Sequence, residues 1–237
     1  MNQTKYSDKV PLLIHAGFPK TASTWLQTNV FSNKSLGFSS PWGIRCGLAI
    51  DEFAVANPFD FNREDAIAAF AQHFPDTNED VCVISEETLL GDPAKGRYWG
   101  KIVADRLYET FPQAKVFICI REQRSYILSA YKEYVRNGGV YSLERYLGVN
   151  VDRVGFGGIF QKSFLEYDKV VSYYQKLFGM ENVLVLPFEM IESNPNLFIE
   201  NLLGFTTKKT GNVNFEKVRS SLKSCTIEIR RRLNNYF

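Results

Sequence analysis

Gly17-Phe18-Pro19-Lys20-Thr21-Ala22-Ser23-Thr24-Trp25 is the stretch whose reading decides the fold. Just before it, Pro11–Ala16 (PLLIHA) is a short apolar run that predicts a buried strand. Just after it, Trp25, Leu26 and Val30 fall at helical spacing. A strand, a tight turn over Gly17–Lys20 and a helix from Thr21 open a phosphate-binding α/β unit. In such a turn the backbone N–H groups of Lys20 through Thr24 point at one spot, where the positive end of the helix favours an anion. Lys20 adds a full charge, Thr21, Ser23 and Thr24 add hydroxyl donors, and Ala22 is small enough to let a phosphate approach the backbone. An ordinary strand–turn–helix with a surface lysine and a Ser/Thr cap uses the same residue types, so a second anion site is needed to tell the two apart.

The same stretch argues against one class. The loop of nucleotide triphosphatases requires Gly-Lys followed by Ser or Thr. In that register this chain has Ala22, Ser23 and Thr24, and its lysine stands three positions too early to wrap β- and γ-phosphates.

Working outward, Val81–Ser85 predicts a second buried strand, Lys115–Ile120 a third and Val183–Pro187 a fourth. Helices are expected over Arg63–Phe74 (capped by Asn62), Tyr98–Phe111, Ser125–Arg136, where Gly138-Gly139 stops the pattern, and Gln161–Phe178. Two or three more fill the remainder. Residues 33–62, rich in Ser, Gly, Asn and Pro, read as a long, partly ordered loop region. Strands separated by helices predict an α/β fold of three layers, a central parallel sheet flanked by helices in a P-loop-like nucleotide-binding arrangement. No linker, repeat or low-complexity tract divides residues 1–237, which reads as one domain of a size suited to one core.

Composition narrows the partners. Lys+Arg at 28 against Asp+Glu at 26 leaves a nearly neutral chain, which argues against a nucleic-acid binder. Cys46, Cys82, Cys119 and Cys225 lie far apart without a CxxC pair, so neither a disulfide framework nor a zinc site is expected. Met1–Lys9 is polar, and no run reaches membrane-spanning length. A soluble, cytoplasmic protein is the expectation.

The third strand supplies the second anion site. It ends on Arg121, and Ser129 follows eight residues later on the next helix. An arginine at the carboxyl end of such a strand faces the ligand crevice of an open α/β sheet. Its fork suits a phosphate dianion, and a serine hydroxyl two turns along the helix adds a donor. Taken singly, Arg121 is also compatible with a strand-end ion pair, for instance with Glu122.

Together these segments resemble the sulfotransferase family. Pro19-Lys20-Thr21-Ala22-Ser23-Thr24-Trp25 is similar to its 5'-phosphosulfate loop, in which glycine usually stands where this chain has Ala22. Arg121 and Ser129 resemble the family's Arg-x7-Ser pair, which binds the 3'-phosphate of 3'-phosphoadenosine 5'-phosphosulfate (PAPS). Ser163–Tyr167, the strand Val183–Pro187 and the run Phe188–Pro195 (FEMIESNP) resemble its later elements, so the likeness spans residues 11–205, with 33–80 poorly matched. It places Trp25 where the family stacks an indole near the adenine, the alternative being a core aromatic. The Arg-Lys-Gly cofactor motif of animal cytosolic members is missing; Arg219 and Arg230–Arg232 are candidates to replace it, or form a solvated helix face.

The resemblance implies sulfuryl transfer from PAPS to a hydroxyl or amine of a small-molecule or glycan acceptor, leaving adenosine 3',5'-bisphosphate (PAP), with no metal required. Lys20 suits the leaving bridge oxygen, where charge develops. The family places a His or Glu base at the end of the second strand, where this chain has Glu86 and Glu87. Alignment with the Ser-Ser-Glu of bacterial members favours Glu87, and each glutamate is alternatively an acid at a helix N-terminus. His15 reads as a buried strand residue and His73 as surface packing. Phe38, Trp42, Phe59, Phe61 and Tyr141, in the acceptor-shaping loops 33–62 and 138–160, either stack on an acceptor or pack their loops. The competing readings are a metal-dependent nucleotide kinase or NTPase and a non-catalytic nucleotide-binding protein.

Overall fold

The computed structural model describes residues 11–74, 80–93, 96–149, 160–206 and 224–234. Five strands, β1 (Leu12–Ala16), β2 (Phe38–Ser39), β3 (Val81–Glu86), β4 (Lys115–Ile120) and β5 (Val183–Pro187), form one sheet in the order β2-β3-β1-β4-β5. Every pairing is parallel. The fold is therefore the α/β arrangement expected, a central parallel sheet between helical layers.

Burial on both faces explains why the strands read as unbroken apolar runs. Alternate β1 side chains face opposite ways: Leu12, Ile14 and Ala16 enter one core, Leu13 the other. The first core lies beneath α3 (Arg63–Ala71), α4 (Gly100–Thr110), α5 (Gln123–Arg136) and α7 (Tyr167–Phe178). The second joins Val83, Phe117 and Cys119 to Trp25, Leu26, Val30 and Phe31 and to α9 (Pro195–Thr206) through Phe198 and Leu202.

Several expectations are corrected. The helix after the first turn starts at Ser23 rather than Thr21: α1 (Ser23–Leu26) continues as a π-helix through Gln27–Phe31. Residues 33–62 are organised rather than loop-like. They hold β2, too short to leave a signal in sequence, then α2 (Gly47–Ile50) and a π-helical turn over Asp51–Val55. Long-range bonds order them. The buried Arg106 donates from Nη1 to the carbonyls of Phe53 and Ala56, both at 3.0 Å, beneath the Phe61 ring. Trp42 Nε1 donates to the Phe70 carbonyl at 3.0 Å. The helix expected over Gln161–Phe178 is two elements, a 3₁₀ turn at Lys162–Leu165 and α7, with Glu166 between them in a non-helical conformation.

The N-cap of α3 is as read: Asn62 Oδ1 accepts from the N–H groups of Glu64 and Asp65. The chain passes from β1 to β2 and β3 on one side, then crosses to β4 and β5 on the other. The reversal falls between β1 and β4, where open α/β sheets form their ligand crevice. After α5 come also two short α-helices, α6 (Leu143–Tyr146) and α8 (Glu189–Ser193), a 3₁₀ turn at Met180–Asn182 and the ten-residue α10 (Ser224–Leu233). No helix among the described residues is long and apolar enough to cross a membrane.

Candidate active site

Strand register brings three segments to one edge. Ala16 pairs with Glu86 and His15 with Ser85 across β1 and β3, while β4 runs beside β1 on the other side. The loop after β1, the Glu86-Glu87 corner after β3 and Arg121 after β4 thus leave neighbouring strand ends.

The loop is compact. Thr21 is fully buried and its hydroxyl donates to the Phe18 carbonyl at 2.6 Å, closing the turn on itself. That hydroxyl bond lies inside the loop and closes the turn. Lys20 (φ 69) and Ala22 (φ 62) are both left-handed, at a cost of roughly 1–2 kcal/mol each for residues with a Cβ. Left-handed residues at alternate positions curl the backbone into a concave nest of N–H groups. No backbone acceptor among the described residues takes the N–H groups of Thr21, Ala22, Ser23 or Thr24. Ser23 is buried with its hydroxyl unpaired, and Thr24 Oγ1 accepts from Arg45 Nη2 at 3.1 Å.

Gly17 sits where the chain segments approach closely. A Cβ there would stand 3.1 Å from the Glu87 Cα and 3.2 Å from Ser23 Oγ. The absence of a side chain lets the end of β3 touch the start of the loop.

Arg121 is tied to the loop directly. Its Nη1 donates to the Lys20 carbonyl at 2.8 Å, and its guanidinium lies over the Phe188 ring, 4.4 Å from the centroid. Phe188 is itself held by its N–H bond to the Ile120 carbonyl at 2.7 Å. The Nε of Arg121 is buried without a hydrogen-bond partner. Ser129, half-buried, lies two turns along α5. One turn further, Glu133 forms an ion pair with the Lys20 ammonium and a second, at 3.3 Å, with Arg136.

The two glutamates differ in surroundings. Glu86 ends β3, is nearly buried, and turns back on its own corner, its Oε1 accepting from the N–H and hydroxyl of Thr88 at 3.2 and 3.1 Å. Glu87 is half-buried and its Oε1 lies 3.4 Å from Arg45 Nη1. Neither begins a helix; a turn follows them, and α4 starts only at Gly100.

His15 is fully buried, with Nδ1 2.8 Å from Ser85 Oγ and its ring stacked on Phe117. Burial lowers its pKa to about 3, so the imidazole is neutral at working pH. Trp25 lies in the second core, only 8% exposed. Phe38 and Trp42 pack inward, Phe61 covers Arg106, Tyr141 sits against Arg145, and Phe59 is solvent-exposed. His73 is exposed. Arg230 and Arg231 donate to the carbonyls of Arg136 and Val140, fastening α10 to the end of α5, while Arg232 bonds Glu228. Arg219 and residues 150–159 of the loop 138–160 lie outside the described residues. Among the described residues no group of three or more His, Cys, Asp or Glu converges to hold a metal ion.

Two polar residues of this edge, Arg45 and Glu133, were not singled out from the sequence. Glu133 was within reach, because it follows Ser129 at the i+4 spacing of one helix face. Arg45 sits in a segment whose order depends on distant contacts, and no local signal marks it.

No protein-family profile matches the chain, and no curated protein sequence matches it. Solved structures do. A sulfotransferase from Alicyclobacillus acidocaldarius superposes with a TM-score of 0.64 at 19% identity, over 96% of this chain and 91% of that one. A mouse sulfotransferase complexed with PAP (TM-score 0.43, 11% identity, 94% of this chain and 64% of that one) overlaps too loosely to bear on the site. So does the sulfotransferase domain of the curacin biosynthetic pathway (0.43, 13%, 88% and 75%). With its parallel sheet order, its loop after β1 and the overlap along nearly its whole length, the chain has the sulfotransferase fold.

Proposed function

We propose that this protein moves a sulfuryl group from PAPS to a hydroxyl or amine of a small-molecule or glycan acceptor, and that residues 1–237 act as one domain. The observation that carries the reading is the bond from Arg121 Nη1 to the Lys20 carbonyl. It ties Arg121, after β4, to the loop that carries Lys20, so two cationic residues from separate strand ends stand at one edge of the sheet.

The residues suit such a ligand. The unpaired N–H groups of Thr21–Thr24 form a cradle for the 5'-phosphate, and Arg121, with its orphaned Nε, has donors to spare for the 3'-phosphate alongside Ser129. PAPS supplies an activated sulfuryl group and an anionic leaving group. Glu87 takes the acceptor proton as the acceptor oxygen or nitrogen bonds to sulfur. Lys20 meets the negative charge left on the bridge oxygen when the S–O bond breaks, which yields PAP and the sulfated acceptor. The buried thiols of Cys46, Cys82 and Cys119 support a reducing, cytoplasmic setting.

The test is incubation with radiolabelled PAPS and a panel of phenol, alkyl alcohol, amine and sugar acceptors, in excess EDTA. Label transfer in EDTA is the expected result. PAP binding without transfer to any acceptor leaves the non-catalytic reading standing, and reversible loss on chelation favours metal-dependent chemistry.

A further inference from the structure

Arg45 occupies the space between the two halves of this crevice. Its backbone is held beside β3 through its neighbour, the Cys46 N–H donating to the Ser85 carbonyl at 3.0 Å, and a local bond from Gly47 N–H to the Arg45 carbonyl, also 3.0 Å, tightens the turn. From that anchor one guanidinium reaches both sides. Nη2 is 3.1 Å from Thr24 Oγ1 on the loop helix, and Nη1 is 3.4 Å from Glu87 Oε1 at the end of β3. The side chain is half exposed, so this is not a packing group sealed in a core.

We infer that Arg45 binds the peripheral oxygens of the transferable sulfuryl group and sets the preference for the sulfated donor over PAP. The inference rests on the proposed function. If the 5'-phosphate sits in the Thr21–Thr24 cradle and the acceptor proton leaves toward Glu87, the sulfur lies between them, which is the gap Arg45 spans. Lys20 answers charge at the bridge oxygen and Arg121 answers the 3'-phosphate. In that arrangement the outer sulfuryl oxygens would confront the Glu87 carboxylate unless a cation stood beside them. A guanidinium presents five N–H donors in a plane, enough to keep Thr24 and Glu87 while accepting an oxyanion between them. An exposed ion pair adds little to stability, so the arginine is dispensable for folding.

The experiment is calorimetric titration of PAPS and, separately, PAP into the unmutated protein, Arg45→Gln and Arg45→Lys, with thermal melts to verify folding. Arg45→Gln should weaken PAPS binding by about ten- to hundredfold, the range for a lost charge-assisted contact, and PAP binding by less than about threefold. Arg45→Lys should recover only part of the loss, because a compact ammonium lacks the planar fork that reaches Thr24 and Glu87 from separate nitrogens. Equal weakening of both nucleotides would make Arg45 a loop support, and unchanged PAPS binding would remove it from the site; either overturns the inference alone. An unmutated protein that binds neither nucleotide would overturn the proposed function beneath it.

Discussion

The Lys20 ammonium, projecting from the loop after β1, is ion-paired with the Glu133 carboxylate on α5. Lys20 also has φ 69, so its backbone is committed to the loop while its side chain crosses to the opposite wall. An incoming nucleotide anion therefore competes with a carboxylate already in place.

Glu133→Gln should consequently tighten PAP binding. Both side chains are partly exposed, so the pair is worth no more than about 1 kcal/mol, roughly a fivefold change in affinity. The gain should shrink as salt rises, since screening weakens the pair in the unmutated protein. Titrations at two ionic strengths check this, and weaker PAP binding in the variant would mean that Glu133 supports the site instead of competing for it.

Arg121 gives a second, independent expectation. If it holds the 3'-phosphate, the unmutated protein binds PAP better than AMP by about ten- to hundredfold, the value of a charge-assisted contact. Arg121→Ala should erase most of that difference. It also removes the bond to the Lys20 carbonyl, so its thermal midpoint must be measured beside the affinities. Equal affinities for PAP and AMP in the unmutated protein would exclude Arg121 and Ser129 as a 3'-phosphate site.

The contrast between Arg121 and Arg45 shows what was legible before folding. Arg121 follows an apolar run, Lys115–Ile120, whose bounds in the structure are those of the sequence reading, so its place at a strand end was forced by strand polarity alone. β5 was equally plain, because Val183–Pro187 is an apolar run between helical patterns. Arg45 had no such frame. Its position depends on Arg106 and Trp42 ordering residues 42–61 from across the core, contacts that no local pattern encodes. Trp25 was ambiguous for a different reason: a core aromatic and an adenine-stacking one occupy the same helical spacing, and here the side chain sits in the core.

Ala22 tests the loop's backbone. Its φ of 62 and ψ of 22 are left-handed values that suit glycine, the residue usual at the resembling position of sulfotransferases. Ala22→Gly relieves roughly 1–2 kcal/mol of strain but adds about 0.4–1 kcal/mol of unfolded-chain entropy, so a net gain between zero and about 1.6 kcal/mol, centred near 1 kcal/mol, is expected. Thermal melts should show a midpoint unchanged or raised by about 2–4 °C. Ala22→Val, β-branched at positive φ, should lower it. A clear loss of stability in Ala22→Gly would contradict the left-handed assignment.

His15 predicts a pH dependence of stability. Its folded pKa, lowered to about 3 by burial, lies below the unfolded value of 6.5. Between these values the unfolded chain binds a proton that the folded protein does not, so stability falls as pH falls from 6.5 toward 3. Urea midpoints measured across that window should decline less steeply in His15→Gln than in the unmutated protein. Parallel slopes would mean that the imidazole protonates freely in the fold.

Glu86 and Glu87 provide the sharpest choice, because adjacent carboxylates are given different work. Glu86 Oε1 accepts two bonds from Thr88, and a glutamine keeps an oxygen able to accept both, so Glu86→Gln should change turnover by less than a few fold. Glu87 faces the crevice beside Arg45, with its Cα against Gly17. Glu87→Gln keeps size and an acceptor for Arg45 but loses the basic oxygen, so turnover should fall by about 10²–10⁴-fold while PAP affinity barely moves. Severe loss in Glu86→Gln with near-normal Glu87→Gln would move the base one residue back. If neither variant slows transfer, neither Glu86 nor Glu87 is the base. His15 is then a poor replacement, since its ring is buried against Phe117 and a pKa lowered to about 3 makes it a weak base.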